Sequence, residues 1–167
     1  MFEVNDVIIY GNHGVCKIID RGPLSISMAD KEKEYYTLCP LYQSEAVIYV
    51  PVDGNKTVMR YVMSKEETEE LIRDIPRLEA NWSANERERE MQYRGAIKSC
   101  DCRELVKVIR TLYERRRSRM QNGKKATAVD EKYFKIAEEQ LYQELAYVLK
   151  MKKDEVSPYI AECIQEK

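Results

Sequence analysis

Few residues of this 167-residue chain have the types and spacing that enzymatic chemistry requires. The single histidine, His13, lies in a Gly-Asn-His-Gly segment, where a turn favours polar residues that tolerate unusual backbone angles. The sequence contains no phosphate loop, dinucleotide fingerprint, nucleophile elbow or zincin motif. Acidic pairs such as Glu66-Glu67 and Glu138-Glu139 fall on predicted helix surfaces, where carboxylates are ordinarily solvated. We therefore expect no enzymatic activity and no cofactor.

The five cysteines indicate reduced thiols rather than a disulfide framework or a zinc site. They are odd in number and scattered, and they form no CxxC pair followed by a second ligand pair. Cys100 and Cys102 have CxC spacing at a predicted helix start, which can lower a thiol pKa, but an incidental pair is the favoured interpretation. The chain also lacks a run of about 20 apolar residues and a signal-peptide pattern. We expect a cytoplasmic protein with no membrane partner.

The charged residues are unevenly distributed along the chain. Residues 76–129 carry 14 basic and 7 acidic side chains, whereas residues 1–75 carry 8 and 13, and residues 130–167 carry 6 and 9. A basic segment in an otherwise acidic protein attracts polyanions, above all the phosphates of nucleic acids. On charge alone, a solvated helix surface explains the pattern equally well.

The only tryptophan, Trp82, lies in this basic segment, within the polar stretch LEANWSANERERE. Ser83 with Glu86 predicts a helix N-cap, which places Trp82 at the position that usually contacts an apolar residue four positions into the helix. That residue is an arginine here, so Trp82 can project from a helix N-terminus. A flat side chain followed by basic residues has the parts of a minor-groove DNA contact. The candidate DNA-binding residues are Trp82, Arg87, Arg89, Arg94 and Lys98. The alternative is a Trp82 that folds back onto the first helix near Leu71, Ile75 or Leu78.

The elements that would position these residues form two modules. Before residue 64, β-branched and aromatic runs alternate with turn signals, which is typical of the short strands of a small barrel. Strands are predicted at residues 7–10, 15–19, 35–38 and 46–52, with a weaker candidate at 58–63. The β module is predicted to cover residues 1–56.

From Ser64 onward the hydrophobic pattern becomes helical. Ser64 with Glu67 forms a capping box and Pro76 ends the segment, which predicts a helix over 65–74. Further helices are predicted at about 84–98, from Asp101 to near Gly123, and near 128–150, and Pro158 can begin a last short helix. The sequence therefore predicts an α+β protein whose helical module covers residues 64–167.

The order of these segments resembles one known family. FEVNDVIIYGNHGVCKI, followed by KEYYTL and VIYVPVD, is similar to the N-terminal module of the CarD/CdnL family of bacterial transcription regulators, a module also found in transcription-repair coupling factor. NWSANERERE, CDCRELVKVIRTLYERRR and LYQELAYVL are similar to the helical domain of that family. The resemblance covers nearly the whole chain in order. Asn5 and Gly11 stand where the family commonly has glycine and proline.

The resemblance implies a Tudor-like β barrel that binds the β subunit of bacterial RNA polymerase, and a helical domain that contacts promoter DNA upstream of the −10 element. It implies that Trp82 wedges into the minor groove at the upstream edge of the transcription bubble, which makes a surface position the favoured interpretation of this residue. Ala84 and Asn85 stand where the family commonly has basic residues, whereas Arg87 and Arg89 follow one turn later. We expect a monomer that stabilises the promoter open complex.

The polymerase contact is expected at an exposed strand edge of the barrel. An unpaired strand can add to the sheet of a partner, and AVIYVPV is the best candidate strand. Its central residues, Ile48, Tyr49 and Val50, are the predicted polymerase-binding residues.

Two other functions fit parts of the sequence. A Tudor-like peptide-binding module would need an aromatic cage, for which Tyr10, Tyr35, Tyr36 and Tyr42 are candidates. Tyr35 and Tyr36 are strand neighbours, however, and point to opposite faces. A nonspecific nucleic-acid-binding protein would also explain the basic segment, and it would bind any duplex without polymerase.

Overall fold

The computed structural model describes residues 1–27, 29–43 and 46–165, and its strands precede its helices. Strands β1 to β5 span Val7–Tyr10, Val15–Gly22, Tyr35–Pro40, Ile48–Pro51 and Met59–Tyr61. Helices α1 to α5 span Lys65–Asp74, Glu86–Ser99, Cys102–Gln121, Ala128–Leu149 and Lys153–Gln165. The chain divides into two compact units, Met1–Val62 and Met63–Lys167, and β5 belongs to the first. The predicted α+β class is confirmed.

The first unit is built on one antiparallel sheet in the order β4-β3-β2-β1-β5. One face of the sheet buries a cluster of side chains from four strands: Ile8, Cys16, Ile18, Tyr36, Leu38 and Val50. Ile48 of β4 and Met59 of β5 pack against this same cluster, so both edge strands close over one core. A register shift between Ile18 and Asp20 marks an irregularity in β2 of the kind that bends a strand. The unit is therefore a small five-stranded sheet whose strands share one core, as expected for a Tudor-like barrel.

Backbone geometry explains two of the positions at which the chain departs from the common pattern of the resembled family, Asn5 and Gly11. Asn5 has a φ of 79°, in the left-handed region that glycine adopts easily and asparagine tolerates. Its N–H donates to the carbonyl of Ile18 at 2.7 Å. Gly11 has a φ of 46°, which proline cannot adopt, and a Cβ there would lie 2.5 Å from Thr57 Cγ2. Glycine is therefore required at position 11 of this chain.

Helix α4 is central to the second unit, because it contacts α1, α2, α3 and α5. Its buried side chains accordingly occupy more than one face, and they include the polar residues Gln140, Gln143 and Glu144 as well as Ala137 and Leu145. Helix α3 packs against it and against α2, and the buried apolar residues of α3 are Leu105, Val106, Val108 and Leu112. No helix within the described residues is both long and apolar enough to cross a membrane.

Capping side chains set the starts of three helices, and those of α1 and α3 lie at the predicted caps. The Ser64 hydroxyl accepts from the Glu67 N–H at 3.0 Å and the Glu67 carboxylate accepts from the Ser64 N–H at 2.8 Å, which completes the capping box of α1. The Asp101 carboxylate accepts from the Arg103 N–H at 2.9 Å at the start of α3. Thr127 caps α4 by accepting from the Asp130 N–H at 3.1 Å.

The prediction that Pro158 begins the last helix is wrong, because α5 begins at Lys153 and contains Pro158. The start is set instead by Glu155, whose carboxylate accepts from the N–H of Lys152 at 3.1 Å. Pro158 lacks the N–H that would bond the carbonyl of Asp154. Asp154 is exposed, so water can bond that carbonyl and the helix continues through the proline.

Candidate nucleic-acid interface

Trp82 lies in the loop between α1 and α2, and side chains of two other helices fix its indole. The Nε1–H donates to Thr111 Oγ1 of α3 at 2.7 Å. The ring meets that of Tyr93 in α2 edge to face, with centroids 5.1 Å apart and an interplanar angle of 74°. Tyr93 is 1% exposed, whereas Trp82 is half-buried. The indole is therefore held in one orientation with part of its surface open to solvent.

The predicted start of α2 at Ser83 is wrong. Asn85 is the N-cap, because its side-chain oxygen accepts from the Glu88 N–H at 3.1 Å and the helix begins at Glu86. The Ser83 N–H donates to Gln92 Oε1 at 2.8 Å and its hydroxyl donates to Glu88 Oε2 at 2.7 Å, which ties the loop to the side of α2. Serine and asparagine cap helices about equally well, so local preference could not choose between them. Ala84, and not Trp82, directly precedes the cap.

The predicted basic residues of α2 differ in how strongly the protein itself engages them. The side chains of Arg87 and Lys98 are exposed and make no hydrogen bond or ion pair within the described residues. Arg89 reaches back to the carbonyls of Ser83 and Ala84 at 3.4 and 3.5 Å, which are long hydrogen bonds. Arg87 and Lys98 are thus available to a phosphate, and Arg89 can be redirected to one.

Arg94 belongs to a network that joins α2 to α4. Its Nε donates to the Tyr133 hydroxyl at 2.7 Å, its terminal nitrogen pairs with Glu90 at 3.0 Å, and Tyr133 donates to Glu90 at 2.9 Å. The hydrogen bond from Tyr133 lowers the pKa of Glu90, and the charge of Arg94 adds to this effect. The bond to Tyr133 also raises the pKa of Arg94. The charge of Arg94 is therefore already balanced inside the helical unit.

The solvent-facing side of α2 carries Arg87, Met91 and Lys98, which the helical period places in one row. Met91 is 64% exposed. Gly95 lies beside this row, and a Cβ at this position would meet nothing within 4 Å. Packing within the chain thus gives no reason for glycine at position 95.

Gly95→Ala is expected to raise the free energy of unfolding by about 0.5–1 kcal/mol, because glycine in a helix interior loses more backbone freedom on folding than alanine. Urea denaturation followed through the fluorescence of Trp82, the single tryptophan, measures the change. Gly123→Ala is the matched control, since its Cβ also meets nothing but its φ of 73° strains alanine. Gly123→Ala should lose stability, and a loss of stability in Gly95→Ala as well would contradict the prediction.

Sequence reasoning did not identify Thr111 and Tyr93 as parts of this site. Thr111 lies 29 residues from Trp82 in sequence, beside the apolar positions of α3. Periodicity can place such residues on a buried face, but it carries no signal that a hydroxyl there accepts a hydrogen bond from an indole.

The predicted polymerase-binding strand, β4, forms one edge of the sheet. The Val52 N–H donates to the Glu34 carbonyl at 3.0 Å, and hydrogen-bonded pairs alternate along an antiparallel ladder. Val50 and Ile48 therefore also direct their N–H and C=O groups toward β3, whereas Tyr49 and Pro51 direct theirs outward. The Val50 side chain is 1% exposed and lies in the core, while Tyr49 is 44% exposed. Tyr49 thus presents both its backbone and its side chain to solvent.

The four tyrosines considered for an aromatic cage do not share one surface. Tyr36 is 3% exposed and belongs to the core of the sheet. Tyr10 stacks on His13, with ring centroids 5.5 Å apart and an interplanar angle of 8°. A peptide-binding cage built from all four is therefore wrong.

The residues considered for catalysis or metal binding also remain apart. In the part of the chain that the structure describes, no three His, Cys, Asp or Glu side chains come together as metal ligands do. The five cysteines, all within that part, form no disulfide bonds. Cys100 and Cys102 are buried, and the Cys102 thiol donates to Glu144 Oε1 at 3.1 Å. The CxC pair therefore lies in the interior of the helical unit.

Two family models match the chain, one for each compact unit. Residues 2–62 match the CarD-like/TRCF RID domain, and residues 70–161 match the CarD C-terminal domain. No curated protein matches the chain significantly. Domains of this kind are regulatory and interact with RNA polymerase. The chain therefore belongs to the CarD/CdnL family and is an RNA polymerase-interacting transcription factor.

Proposed function

We propose that this protein binds the β subunit of RNA polymerase through the edge of β4 and stabilises the promoter open complex through Trp82. In this proposal the indole enters the minor groove of promoter DNA upstream of the −10 element. The observation that carries the proposal is the fixed, half-buried indole at the approach to a helix whose exposed Arg87 and Lys98 side chains have no partner among the described residues.

A fixed ring is well suited to act as a wedge. A side chain that is already ordered loses little conformational entropy on binding, so more of the stacking free energy remains. Stacking of a base on an aromatic ring contributes about 1–3 kcal/mol. The Nε1–H of Trp82 is occupied by Thr111, so the exposed part of the ring offers apolar surface rather than a hydrogen-bond donor. Apolar surface is what intercalating side chains insert at a weakened base step.

Exposed cations of α2 would anchor the DNA backbone around the wedge. Arg87 lies two residues beyond the N-cap Asn85, and Lys98 lies near the other end of the helix. Each phosphate contact adds a salt-dependent contribution that is independent of sequence. Arg94 is expected to contribute less than its position in the sequence suggests, because Glu90 and Tyr133 already engage it.

Tethering to polymerase explains how a modest DNA contact can affect transcription. Binding through the β unit raises the effective concentration of the helical unit at the promoter. Opening is favoured only to the extent that the protein binds opened DNA more tightly than closed duplex. A differential free energy of about 1.4 kcal/mol changes the open-complex population about tenfold. An in vitro open-complex assay with the cognate polymerase is the direct test.

Tyr49→Pro is expected to weaken binding to the polymerase β subunit by about two- to tenfold. Proline removes the outward N–H of the edge, which corresponds to one lost hydrogen bond, but leaves the bonds from Ile48 and Val50 to β3 intact. Pro51 already occupies an equivalent outward position, so the strand tolerates this geometry. Biolayer interferometry with purified polymerase measures the affinity.

Tyr49→Ala is the matched control, because it removes the aromatic ring but keeps the backbone N–H. Circular dichroism of both variants checks that the sheet persists. Equal affinities of the two variants would argue against strand addition and assign the contact to the side chain.

A nonspecific nucleic-acid-binding protein makes a different prediction for DNA affinity. It binds any duplex tightly without polymerase, with a steep dependence on salt concentration. In our proposal free DNA is bound weakly and polymerase restores the interaction. DNA footprinting of the wild-type protein on promoter DNA, with and without polymerase, distinguishes the two functions.

A further inference from the structure

A cavity of about 400 Å³ lies between the first turns of α2 and α4. Its basic lining comes from Arg87 and Arg89 of α2 and Arg115 of α3. Thr127, the N-cap of α4, forms another part of the wall. The N-terminus of a 22-residue helix therefore faces the same space as three guanidinium groups. Helix N-termini and arginines both favour bound anions.

The hydroxyl of Tyr93 supplies an independent sign of a missing ligand. Tyr93 lines the cavity and is 1% exposed, and its hydroxyl has no hydrogen-bond partner within the described residues. Burial raises the pKa of Tyr93, and the nearby positive charges of Arg115 and Arg89 oppose that rise. Buried tyrosine hydroxyls normally have a partner, so this donor lacks an acceptor beside two arginines.

The arginines of the cavity retain donors for a ligand. Arg115 pairs with Asp130 through its Nε at 2.9 Å, which leaves its terminal nitrogens without a hydrogen bond in the described part of the chain. Arg89 makes two long bonds to loop carbonyls, and its guanidinium also lies beside the Tyr93 hydroxyl, where it opposes the rise in pKa that burial causes. Arg87 is exposed and unpaired among the described residues.

The acidic residues of the cavity are mostly neutralised. Asp130 is paired with Arg115, and Glu90 is engaged by Arg94 and Tyr133. Glu86 is exposed at the rim of the helix start and makes no ion pair within the described residues. Arg87 and Arg89 therefore outnumber the single uncompensated carboxylate, and the site favours an anion.

We infer that this cavity binds a phosphate group, whose oxygens accept hydrogen bonds from the Tyr93 hydroxyl, Arg87 and Arg89. An arginine binds phosphate through two parallel N–H donors. The oxygens of the tetrahedral group point in different directions, so one phosphate can accept from Tyr93, Arg87 and Arg89 together. The volume leaves room for a substituent on the phosphate, so a phosphate ester fits. The ester is either the DNA backbone, in which case the inference rests on the proposed function, or a free phosphorylated solute.

Because Tyr93 contacts Trp82, tryptophan fluorescence can report occupation of the cavity. The full chain is titrated with inorganic phosphate against chloride at matched ionic strength, and separately with promoter duplex DNA. Tyr93→Phe removes the hydroxyl but keeps the ring that Trp82 contacts, and Arg87→Ala removes an exposed guanidinium. Arg117→Ala is the matched control, because Arg117 is exposed on α3 and does not line the cavity. Thermal unfolding checks that each variant is folded.

We expect about tenfold weaker binding in Tyr93→Phe and Arg87→Ala, since each loses a hydrogen bond to a charged group, and unchanged binding in Arg117→Ala. Weaker binding of inorganic phosphate by Tyr93→Phe, with binding of duplex DNA unchanged, identifies a free phosphorylated solute as the ligand. If Tyr93→Phe weakens only the binding of duplex DNA, the ligand is the phosphate of the DNA backbone. If Tyr93→Phe binds both probes like the wild type, the inference is overturned. The proposed function is judged separately, because Trp82→Ala in the open-complex assay leaves Tyr93 in place.

Discussion

Trp82→Ala is expected to reduce the population of promoter open complexes about tenfold while leaving polymerase binding unchanged. The variant removes the stacking surface, whose contribution of about 1–3 kcal/mol is made only with opened DNA in our proposal. The β4 edge lies in the other compact unit and keeps its own contacts. The lifetime of competitor-resistant open complexes, measured with and without the protein, gives the result.

Two further variants separate the stacking surface from its orientation. Trp82→Phe keeps an aromatic ring but loses the N–H that Thr111 accepts, and Thr111→Val keeps the indole but removes its acceptor. Both should give intermediate lifetimes, because a ring that is no longer fixed loses conformational entropy on binding. Open complexes as long-lived with Trp82→Ala as with the wild type would contradict the wedge. Thermal unfolding of each variant excludes a general loss of structure as the cause.

Glu144→Ala is expected to destabilise the helical unit by about 3 kcal/mol. Glu144 is 1% exposed, and its carboxylate accepts from the Met63 N–H at 2.8 Å and from the Cys102 thiol at 3.1 Å. Alanine leaves the N–H of the half-buried Met63 without this acceptor and creates a cavity on the central helix, and both changes cost free energy. Urea denaturation followed by circular dichroism measures the free energy of unfolding.

Glu139→Ala is the matched control on the same helix. Glu139 is exposed, and its carboxylate accepts from Lys153 at 2.6 Å and from Gln143 Nε2 at 3.0 Å, so its loss is expected to cost about 1 kcal/mol. Glu144→Gln preserves the volume and one acceptor oxygen, so its loss should lie between those of the two alanine variants. Similar losses in Glu144→Ala and Glu139→Ala would show that the buried carboxylate does not stabilise the unit.

Elements whose signals are local in sequence were predictable. The capping box of Ser64 and Glu67 defines α1 as predicted, because both partners lie within one helical turn. The start of α2 was not predictable in this way, since Ser83 and Asn85 are both good N-caps. In the structure the Ser83 side chain and N–H bond Glu88 and Gln92 instead, which leaves Asn85 as the cap. The start of α5 was also predicted wrongly. Pro158 lies inside the helix, which tolerates it because the carbonyl that the proline leaves unbonded is solvated.

The candidate site was predictable in composition but not in geometry. The resemblance singled out Trp82, yet the two groups that fix it come from α2 and α3 through contacts that no spacing rule encodes. Charge counting likewise treated Arg87 and Arg94 as equivalent. Their difference arises from Tyr133 on α4, which lies 39 residues from Arg94 in sequence. Long-range partners decide which charges remain available, and these depend on the packed helices.

The outward position of Pro51 has a consequence for the protein at high concentration. A long free strand edge is a template on which further copies can pair and grow into fibres. The β4 strand has four residues, and Pro51 has no backbone N–H to offer on its open side. Another copy therefore finds too few consecutive hydrogen bonds to extend a shared sheet. The short β4 edge therefore resists self-templated aggregation.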